Sequence, residues 1–184
     1  MRVITGKARG HKLLAPEGLD TRPTTDRIKE SLFNIIAPNL QDSTFLDLFC
    51  GSGAIGIEAL SRGAKKAVFV DNSDECQPYI KRNLEFTKLI ENATIIKSDA
   101  INAINYFKEK NFEFDIIFMD PPYKSNIAAK VLLEISKAGI LKKTGYVIIE
   151  APKGRDFSNV DGFSVIREKA YGKTTTMVFL ALEE

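Results

Sequence analysis

Glycines and carboxylates cluster between residues 47 and 58, in an order that can build a ligand pocket. Gly51, Gly53 and Gly56 have the G-x-G-x-x-G spacing of a loop that follows a strand and opens a helix. Glycines allow a tight turn there and let the backbone approach a ligand closely. Asp71 ends the next predicted strand, where its carboxylate would meet a ribose diol. The pattern predicts a nucleotide-like ligand.

Asp47 distinguishes between two such ligands. A nicotinamide cofactor would explain the glycines equally well, but its pyrophosphate would meet this uncompensated carboxylate beside the loop. S-adenosylmethionine has no phosphate, and its ammonium and sulfonium groups suit an acidic neighbour. Asp99 follows the third predicted strand, where an adenine amino group could be read. Either acid could instead merely cap a helix or turn. We expect S-adenosylmethionine as the cofactor.

A second motif, Asp120-Pro121-Pro122-Tyr123, follows a predicted buried strand. The prolines stiffen the loop and remove two backbone donors, which leaves the Asp120 carboxylate and the Pro121 carbonyl as acceptors. An aromatic face, Tyr123, stands beside them. Such a corner suits a planar base whose amino group donates two hydrogen bonds while its ring stacks. Holding both hydrogens would aim the nitrogen lone pair at a methyl donor, so that orientation drives an in-line displacement.

Regular elements must position these motifs, and apolar runs alternate with helical patterns along the chain. We predict strands at residues 45–49, 67–71, 93–97, 114–119, 146–151, 163–169 and 175–182. We predict helices at 27–37, from the glycine turn to about 62, at 75–89, 100–108 and 126–139. Thr24, Thr25 and Asp26 offer caps to the first helix, and Pro38 is predicted to end it.

This alternation predicts an α/β fold, a doubly wound and mostly parallel sheet of seven strands covered on both faces. The last two strands leave almost no room between them and must form an antiparallel hairpin around Tyr171-Gly172. One strand near the C-terminus is therefore reversed. Residues 1–15 mix β-branched and basic residues around Gly6 and Gly10, which predicts a short N-terminal hairpin.

Four stretches together resemble the RsmD family, bacterial methyltransferases that act on guanine N2 of small-subunit (16S) ribosomal RNA. They are residues 22–34 (RPTTDRIKESLFN), 46–53 (LDLFCGSG), 58–64 (EALSRGA) and 120–123 (DPPY). The basic opening at 6–10 (GKARG) also fits, so the resemblance covers essentially the whole chain. It implies a Rossmann-like class I S-adenosylmethionine-dependent methyltransferase.

The resemblance also implies roles for individual residues. The methionine part would be cradled by Asp47, Gly51 and Gly53, the ribose by Asp71, and the adenine by Asp99 with the Ala100 backbone. We assign three of their neighbours to the same site, namely Phe49, Ser52 and Asn72. The catalytic corner that receives the flipped guanine would be Asp120, Pro121, Pro122 and Tyr123.

Basic residues concentrate at the N-terminus, although the net charge of the chain is only +2. Residues 1–29 contain seven basic and three acidic side chains, which leaves a slightly acidic body. A solvated surface strip would explain this equally well, but with the resemblance we expect ribosomal RNA as partner. The predicted RNA contacts are Arg2, Lys7, Arg9, His11, Lys12, Arg22 and Arg27.

Length and composition bound the rest. A chain of 184 residues, 44% hydrophobic and 27% charged, fits one methyltransferase domain, with residues 1–20 as a basic arm and 21–184 as catalytic core. Two Cys and one His leave no zinc constellation, so we expect no metal. We further expect a cytoplasmic monomer without a membrane partner. Three alternatives stay open: an adenine-N6 methyltransferase on DNA or RNA, a non-catalytic RNA-binding module with this fold, and a nicotinamide oxidoreductase, for which 184 residues leave no substrate domain.

Overall fold

The structure is a computed structural model that describes residues 1–16, 25–122 and 126–183. The helices are α1 (Asp26–Leu40), α2 (Ala54–Ser61), α3 (Cys76–Phe86), α4 (Ala100–Glu109) and α5 (Ile127–Ala138). The strands are β1 (Thr44–Leu48), β2 (Lys66–Asp71), β3 (Ala93–Lys97), β4 (Phe114–Met119), β5 (Leu141–Pro152), β6 (Phe163–Tyr171) and β7 (Thr175–Leu182). None of the helices in these three ranges is both long and apolar enough to cross a membrane.

One twisted sheet of seven strands organises the molecule, in the order β3-β2-β1-β4-β5-β7-β6. The first five strands pair in parallel, and β7 lies antiparallel between β5 and β6. The helices α2 to α5 return the chain between parallel strands, as that pairing requires. The prediction of a mostly parallel seven-stranded sheet with one reversed strand is confirmed.

Helices cover both faces of the sheet. Side chains of α1, α2 and α3 form one apolar cluster with alternate strand residues such as Phe45, Phe69 and Phe118. Side chains of α4 and α5 form a second cluster with the intervening residues, such as Leu46 and Val70. Because successive strand side chains point to opposite faces, the apolar strands feed both clusters at once. This burial holds the sheet edge that carries the predicted motifs.

One local prediction needs correction and another is confirmed. Pro38 does not end α1, which continues to Leu40. Proline forfeits one intrahelical hydrogen bond, but the last turn buries Leu40 in the core, and this burial offsets the loss. The predicted short N-terminal hairpin is present: Arg2 and Lys12 form an antiparallel bridge, and the Val3 and Leu13 N–H groups donate to the His11 and Met1 carbonyl oxygens at 3.0 Å each. Other backbone groups of this segment bond to the neighbouring helices.

Candidate functional site

The carboxyl edge of the parallel strands brings the predicted motifs together. In the sheet, β2, β1 and β4 are direct neighbours, and β3 adjoins β2. Their last residues are in register, with Leu48 beside both Val70 and Met119. The glycine loop after β1, Asp71 at the end of β2 and Asp120 after β4 therefore share one edge. Open α/β sheets bind ligands at this edge, where the strand order reverses.

The glycine loop is held in a strained shape by the next strand. Phe49, Gly51 and Gly53 have positive φ values of 60°, 54° and 80°. The value at Phe49 is unusual for a residue with a side chain and costs about 1–3 kcal/mol, which the surrounding contacts must offset. Those contacts include the Asp71 carboxylate, whose Oδ2 accepts the Gly51 N–H at 2.8 Å. Asp71 therefore shapes the loop as well as standing beside it.

Gly56 fixes how closely α2 approaches the sheet. A Cβ at this position would lie 2.4 Å from Cε1 of Phe69 on β2, which is far inside van der Waals contact. The third glycine of the motif is therefore required for packing between helix and strand, while the first two shape the loop.

Asp47 lies beneath the loop and not on the surface of a cleft. It is 1% exposed, and its Oδ2 accepts the Gly56 N–H in the first turn of α2 at 2.8 Å. Burial raises the pKa of Asp47 to about 8, and the neighbouring carboxylates of Asp71 and Asp120 add to the effect. The side chain thus satisfies one of the unpaired donors at a helix start. Its ionisation is poised to respond to a positive charge placed nearby.

A cleft of about 270 Å³ opens at the same edge. Five predicted cofactor residues line it, namely Phe49, Asp71, Asn72, Asp99 and Ala100. Pro122 of the Asp-Pro-Pro corner lines it too, so both motifs border one cavity. The cavity does not include Asp47, Gly51, Ser52 or Gly53 in its lining. A largely apolar wall with a few polar groups at its rim suits a planar, partly polar ligand.

Sequence analysis missed four residues of this lining, Val70, Ser98, Ile101 and Ile127. Each is the immediate neighbour of a predicted residue or opens a helix that begins at the carboxyl edge. Ile101 follows Ala100, and Ile127 is the first residue of α5. An apolar residue in the first turn of such a helix was the signal that could have identified Ile101 and Ile127.

Asp99 is the N-cap of α4. Its carboxylate accepts the Asn102 N–H at 3.0 Å and also bonds the Asn102 side-chain amide. The helix-capping alternative that the sequence left open is therefore real for this residue. Because Asp99 is exposed and lines the cleft, capping leaves room for a second hydrogen bond to a ligand.

The Asp-Pro-Pro corner combines a shielded acid with rigid backbone. Asp120 is half-buried, Pro121 is buried and Pro122 is exposed at the cleft. Burial raises the pKa of Asp120 to about 7, and the nearby Glu150 carboxylate on β5 adds to the effect. Tyr123, the predicted stacking partner, lies outside the described residues. The corner is thus able to accept hydrogen bonds and to exchange a proton near neutral pH.

Residues 1–14, called the N-terminal arm below, are docked on the helices. Val3, Ala8 and Leu13 are buried, and the Ala8 N–H donates to Ser61 Oγ at 2.9 Å. A Cβ on Gly6, whose φ is 89°, would lie 1.8 Å from the Ser61 carbonyl oxygen. The arm is therefore a packed part of the surface above α2.

Most predicted RNA contacts remain accessible. Exposed side chains among them are Arg2, Lys7, Arg9 and Lys12 on the arm and Arg27 on α1. His11 is half-buried, with its Nδ1 2.9 Å from the Ala8 carbonyl oxygen and its ring edge-on to Phe86. Arg22 lies outside the described residues. The arm therefore presents its basic side chains outward while its apolar ones anchor it.

Known proteins match this chain along nearly its whole length. The family model described as Conserved hypothetical protein 95 matches residues 1–180. A Bacillus subtilis protein that carries the provisional name rRNA methyltransferase YlbH is 37% identical over 97% of this chain and 98% of its own. The Haemophilus influenzae protein named Ribosomal RNA small subunit methyltransferase D is 35% identical over 94% of this chain and 89% of its own.

A solved structure agrees with the sequence matches. The Escherichia coli protein yhhF, provisionally named a methyltransferase, superposes with a TM-score of 0.87 at 32% identity. The match covers 100% of this chain and 99% of that one. The fold thus recurs over nearly the whole of both chains.

Proposed function

The chain belongs to the family described as Conserved hypothetical protein 95, the RsmD family that the sequence resembles, and from that premise we propose an enzyme activity. We propose that it transfers a methyl group from S-adenosylmethionine to the exocyclic N2 of a guanine in small-subunit ribosomal RNA. The names of the relatives support ribosomal RNA as the substrate and methyl transfer as the reaction. A ribosomal RNA substrate favours the cytoplasm as the location of the enzyme.

A single observation carries the proposal: the cleft and the corner meet. Pro122 lines the same cavity as Asp71 and Asp99, so a ligand seated there lies against the Asp-Pro-Pro corner. A base held at the corner and a cofactor held in the cleft would therefore be direct neighbours. In-line displacement requires the base and the cofactor to be adjacent, because orienting the two reactants is the main source of rate acceleration.

The cleft residues fit S-adenosylmethionine by their chemistry. Asp71 already accepts the Gly51 and Ser73 N–H groups, and each carboxylate oxygen retains a lone pair for a ribose hydroxyl. Asp99 and the Ala100 backbone also line the cleft, where adenine would bind. When bound, the cofactor supplies a methyl group on a positively charged sulfur.

Asp47 would act on the cofactor through charge. Its carboxyl group is buried under the loop and accepts the Gly56 N–H, so it would influence the cofactor without contacting it. A cation in the cleft would favour the ionised carboxylate and pull its raised pKa down.

At the corner, Asp120 would both orient the amine and receive its proton. The carboxylate and the Pro121 carbonyl accept the two amine hydrogens, which directs the nitrogen lone pair toward the methyl group. After methyl transfer the nitrogen carries an extra proton. A carboxylate whose pKa lies near 7 is matched to accept that proton at neutral pH. Because only ionised Asp120 can accept, the transfer rate should rise as the pH passes upward through about 7.

The test is labelled-methyl transfer to unmodified small-subunit ribosomal RNA, followed by digestion to nucleosides. The proposal expects N2-methylguanosine at one position. N6-methyladenosine would support the adenine alternative instead, since the same corner can hold that amine. Absence of label in any nucleoside, together with a negative S-adenosylmethionine titration, would leave the non-catalytic module.

Asp120→Ala separates the corner from the cofactor site. Losing the orienting acceptor should lower turnover about a hundredfold or more, while the affinity for S-adenosylmethionine changes little. Asp161→Ala, which removes an exposed carboxylate between β5 and β6, is the matched control and should leave turnover unchanged. Turnover of Asp120→Ala equal to that control would exclude the corner from catalysis.

A further inference from the structure

Helix α1 lies between two surface depressions. One separates it from the N-terminal arm, has a volume of about 360 Å³, and is lined by residues that include Arg2 and Arg9. The other separates it from β6, has a volume of about 500 Å³, and is lined by residues that include Arg27, Arg167 and Lys169. Glu30 lines both, so the two depressions adjoin at this residue of α1.

The depression beside β6, called the basic groove below, has an excess of positive charge. Its three basic side chains, Arg27, Arg167 and Lys169, face one acid, Glu30. All three basic residues are exposed, and none forms a salt bridge within the part of the chain that the structure describes. In the other depression, by contrast, Arg2 pairs with Asp26 at 2.9 Å. Exposed cations without partners are free to bind an anion.

Polar side chains complete the groove. Ser31 and Asn34 of α1 lie in its lining and can donate hydrogen bonds to phosphate or sugar oxygens. The Tyr171 hydroxyl, at the end of β6, is 3.0 Å from Ser31 Oγ and ties this strand to the helix. The groove walls are thus one helix and one strand, which hold the basic groups at fixed spacing.

The groove runs toward the methyl-transfer corner. Lys169 is in register with Met177 on β7, and Met177 is in register with Glu150 on β5. Glu150 follows Ile149, which pairs with the last residue of β4, directly before Asp120. Lys169 and Asp120 are therefore at similar heights in the sheet and three strand spacings apart, roughly 14 Å. A polynucleotide chain passing the corner can reach the groove.

We propose that the basic groove binds backbone phosphates of the ribosomal RNA next to the target guanine, with Arg167 and Lys169 as contacts in addition to the arm. This inference rests on the proposed function and names the surface along which its substrate lies. Sequence reasoning placed RNA contacts only in the first 27 residues. The groove adds a second set from the other end of the chain, brought to α1 by the position of β6 at the sheet edge.

The experiment compares two double variants for binding to unmodified small-subunit ribosomal RNA over a range of salt concentrations. Arg167→Gln with Lys169→Gln removes two charges from the groove. Lys108→Gln with Lys110→Gln removes two exposed charges at the end of α4, on the opposite face of the sheet. Thermal unfolding of both variants checks that they remain folded.

The groove variant should bind this RNA roughly tenfold more weakly at 50 mM salt, with the salt slope reduced by about 1.5, as expected for two lost phosphate contacts. The control should match the unaltered protein. Turnover should not change in the control, and the affinity for S-adenosylmethionine should not change in either variant. A groove variant with the affinity and slope of the control would overturn the inference.

The two proposals fail in different ways. If the unaltered protein methylates ribosomal RNA but the groove variant binds it normally, only the groove assignment is wrong. If no methyl group is transferred, the proposed function is wrong. The binding comparison then still decides whether the groove holds RNA phosphates.

Discussion

Of the charged side chains, Glu58 on α2 should be the one whose neutralisation destabilises the fold most. It is fully buried, and its two oxygens accept the Ile4 and Thr5 N–H groups at 2.8 and 3.0 Å. The same oxygens lie 3.4 Å from Lys29 Nζ and 2.7 Å from Arg62 Nε. Lys29 is itself only 1% exposed, and its ammonium also donates to the Arg2 carbonyl. One carboxylate therefore joins the arm, α1 and α2.

Glu58→Gln keeps the shape of the side chain and removes its charge. The Lys29 ammonium would then be buried without a counter-charge, and burial already lowers its pKa. Breaking a buried ion pair from one side costs about 3–5 kcal/mol. One backbone N–H would also lose its acceptor, because the amide has a single oxygen. We expect the free energy of unfolding to decrease by about 3–5 kcal/mol. This decrease is a large part of the roughly 5–15 kcal/mol typical of a domain.

Urea unfolding measures this loss. With an m-value of about 2 kcal/mol/M, the midpoint should fall by roughly 1.5–2.5 M. Asp74→Asn is the control, because it breaks a pair with Lys97 whose side chains are 85% and 51% exposed. Exposed pairs contribute less than about 1 kcal/mol. A Glu58→Gln variant no less stable than this control would refute the reasoning.

A second measurement locates the effect. Amide exchange at Ile4 and Thr5 should be slow in the unaltered protein, since both donate to Glu58, and fast in Glu58→Gln. Adding Lys29→Met to Glu58→Gln should restore much of the stability, because the unpaired charge is then removed. No recovery would mean that the lost acceptor, or the Arg62 guanidinium that also loses its counter-charge, dominates over Lys29.

Three further outcomes follow from the site. In the unaltered protein, the affinity for S-adenosylmethionine should rise between pH 7 and 9, as Asp47 with its pKa of about 8 becomes ionised. Asp47→Asn should abolish this rise, which titration calorimetry of both proteins measures. Gly56→Ala should destabilise the protein by about 1–3 kcal/mol through overpacking against Phe69, read by urea unfolding. Gly6→Ala should release the arm, because its Cβ would overlap the Ser61 carbonyl; protease cleavage within residues 1–14 should quicken, and an unchanged rate would contradict the docked arm.

Periodicity was enough to predict most of the fold. The strand that precedes the glycine loop and the one that ends at Met119 are short and mostly apolar, each with a single aspartate, which favours a parallel sheet buried on both faces. The short connection around Gly172 fixed the antiparallel pairing of the last two strands. Boundaries were weaker: β5 begins at Leu141, because pairing with Phe114 extends it through polar residues that read as a loop.

Residue types and spacing likewise predicted part of the lining of the candidate site. A strand-end carboxylate lies at the ligand edge of a parallel sheet wherever the helices run, so Asp71, Asp99 and Asp120 could be placed in advance. The hydrogen bonds that each carboxylate forms there could not be predicted in advance. Asp47 is drawn under the loop by the Gly56 N–H, and Asp99 is shared with Asn102, since local backbone donors compete with a ligand for the same oxygens.

Only the tertiary structure decided the roles of groups that lie far apart in the chain. The sequence predicts a basic hairpin without saying where it docks, and Glu58, more than fifty residues away, fixes it to the body. The groove joins Arg27 to Lys169 because the reversed strand β7 places β6 at the sheet edge beside α1. Charge and hydrophobicity along a sequence determine what a segment can contact, whereas long-range pairing determines which of those contacts forms, and it leaves no local signal.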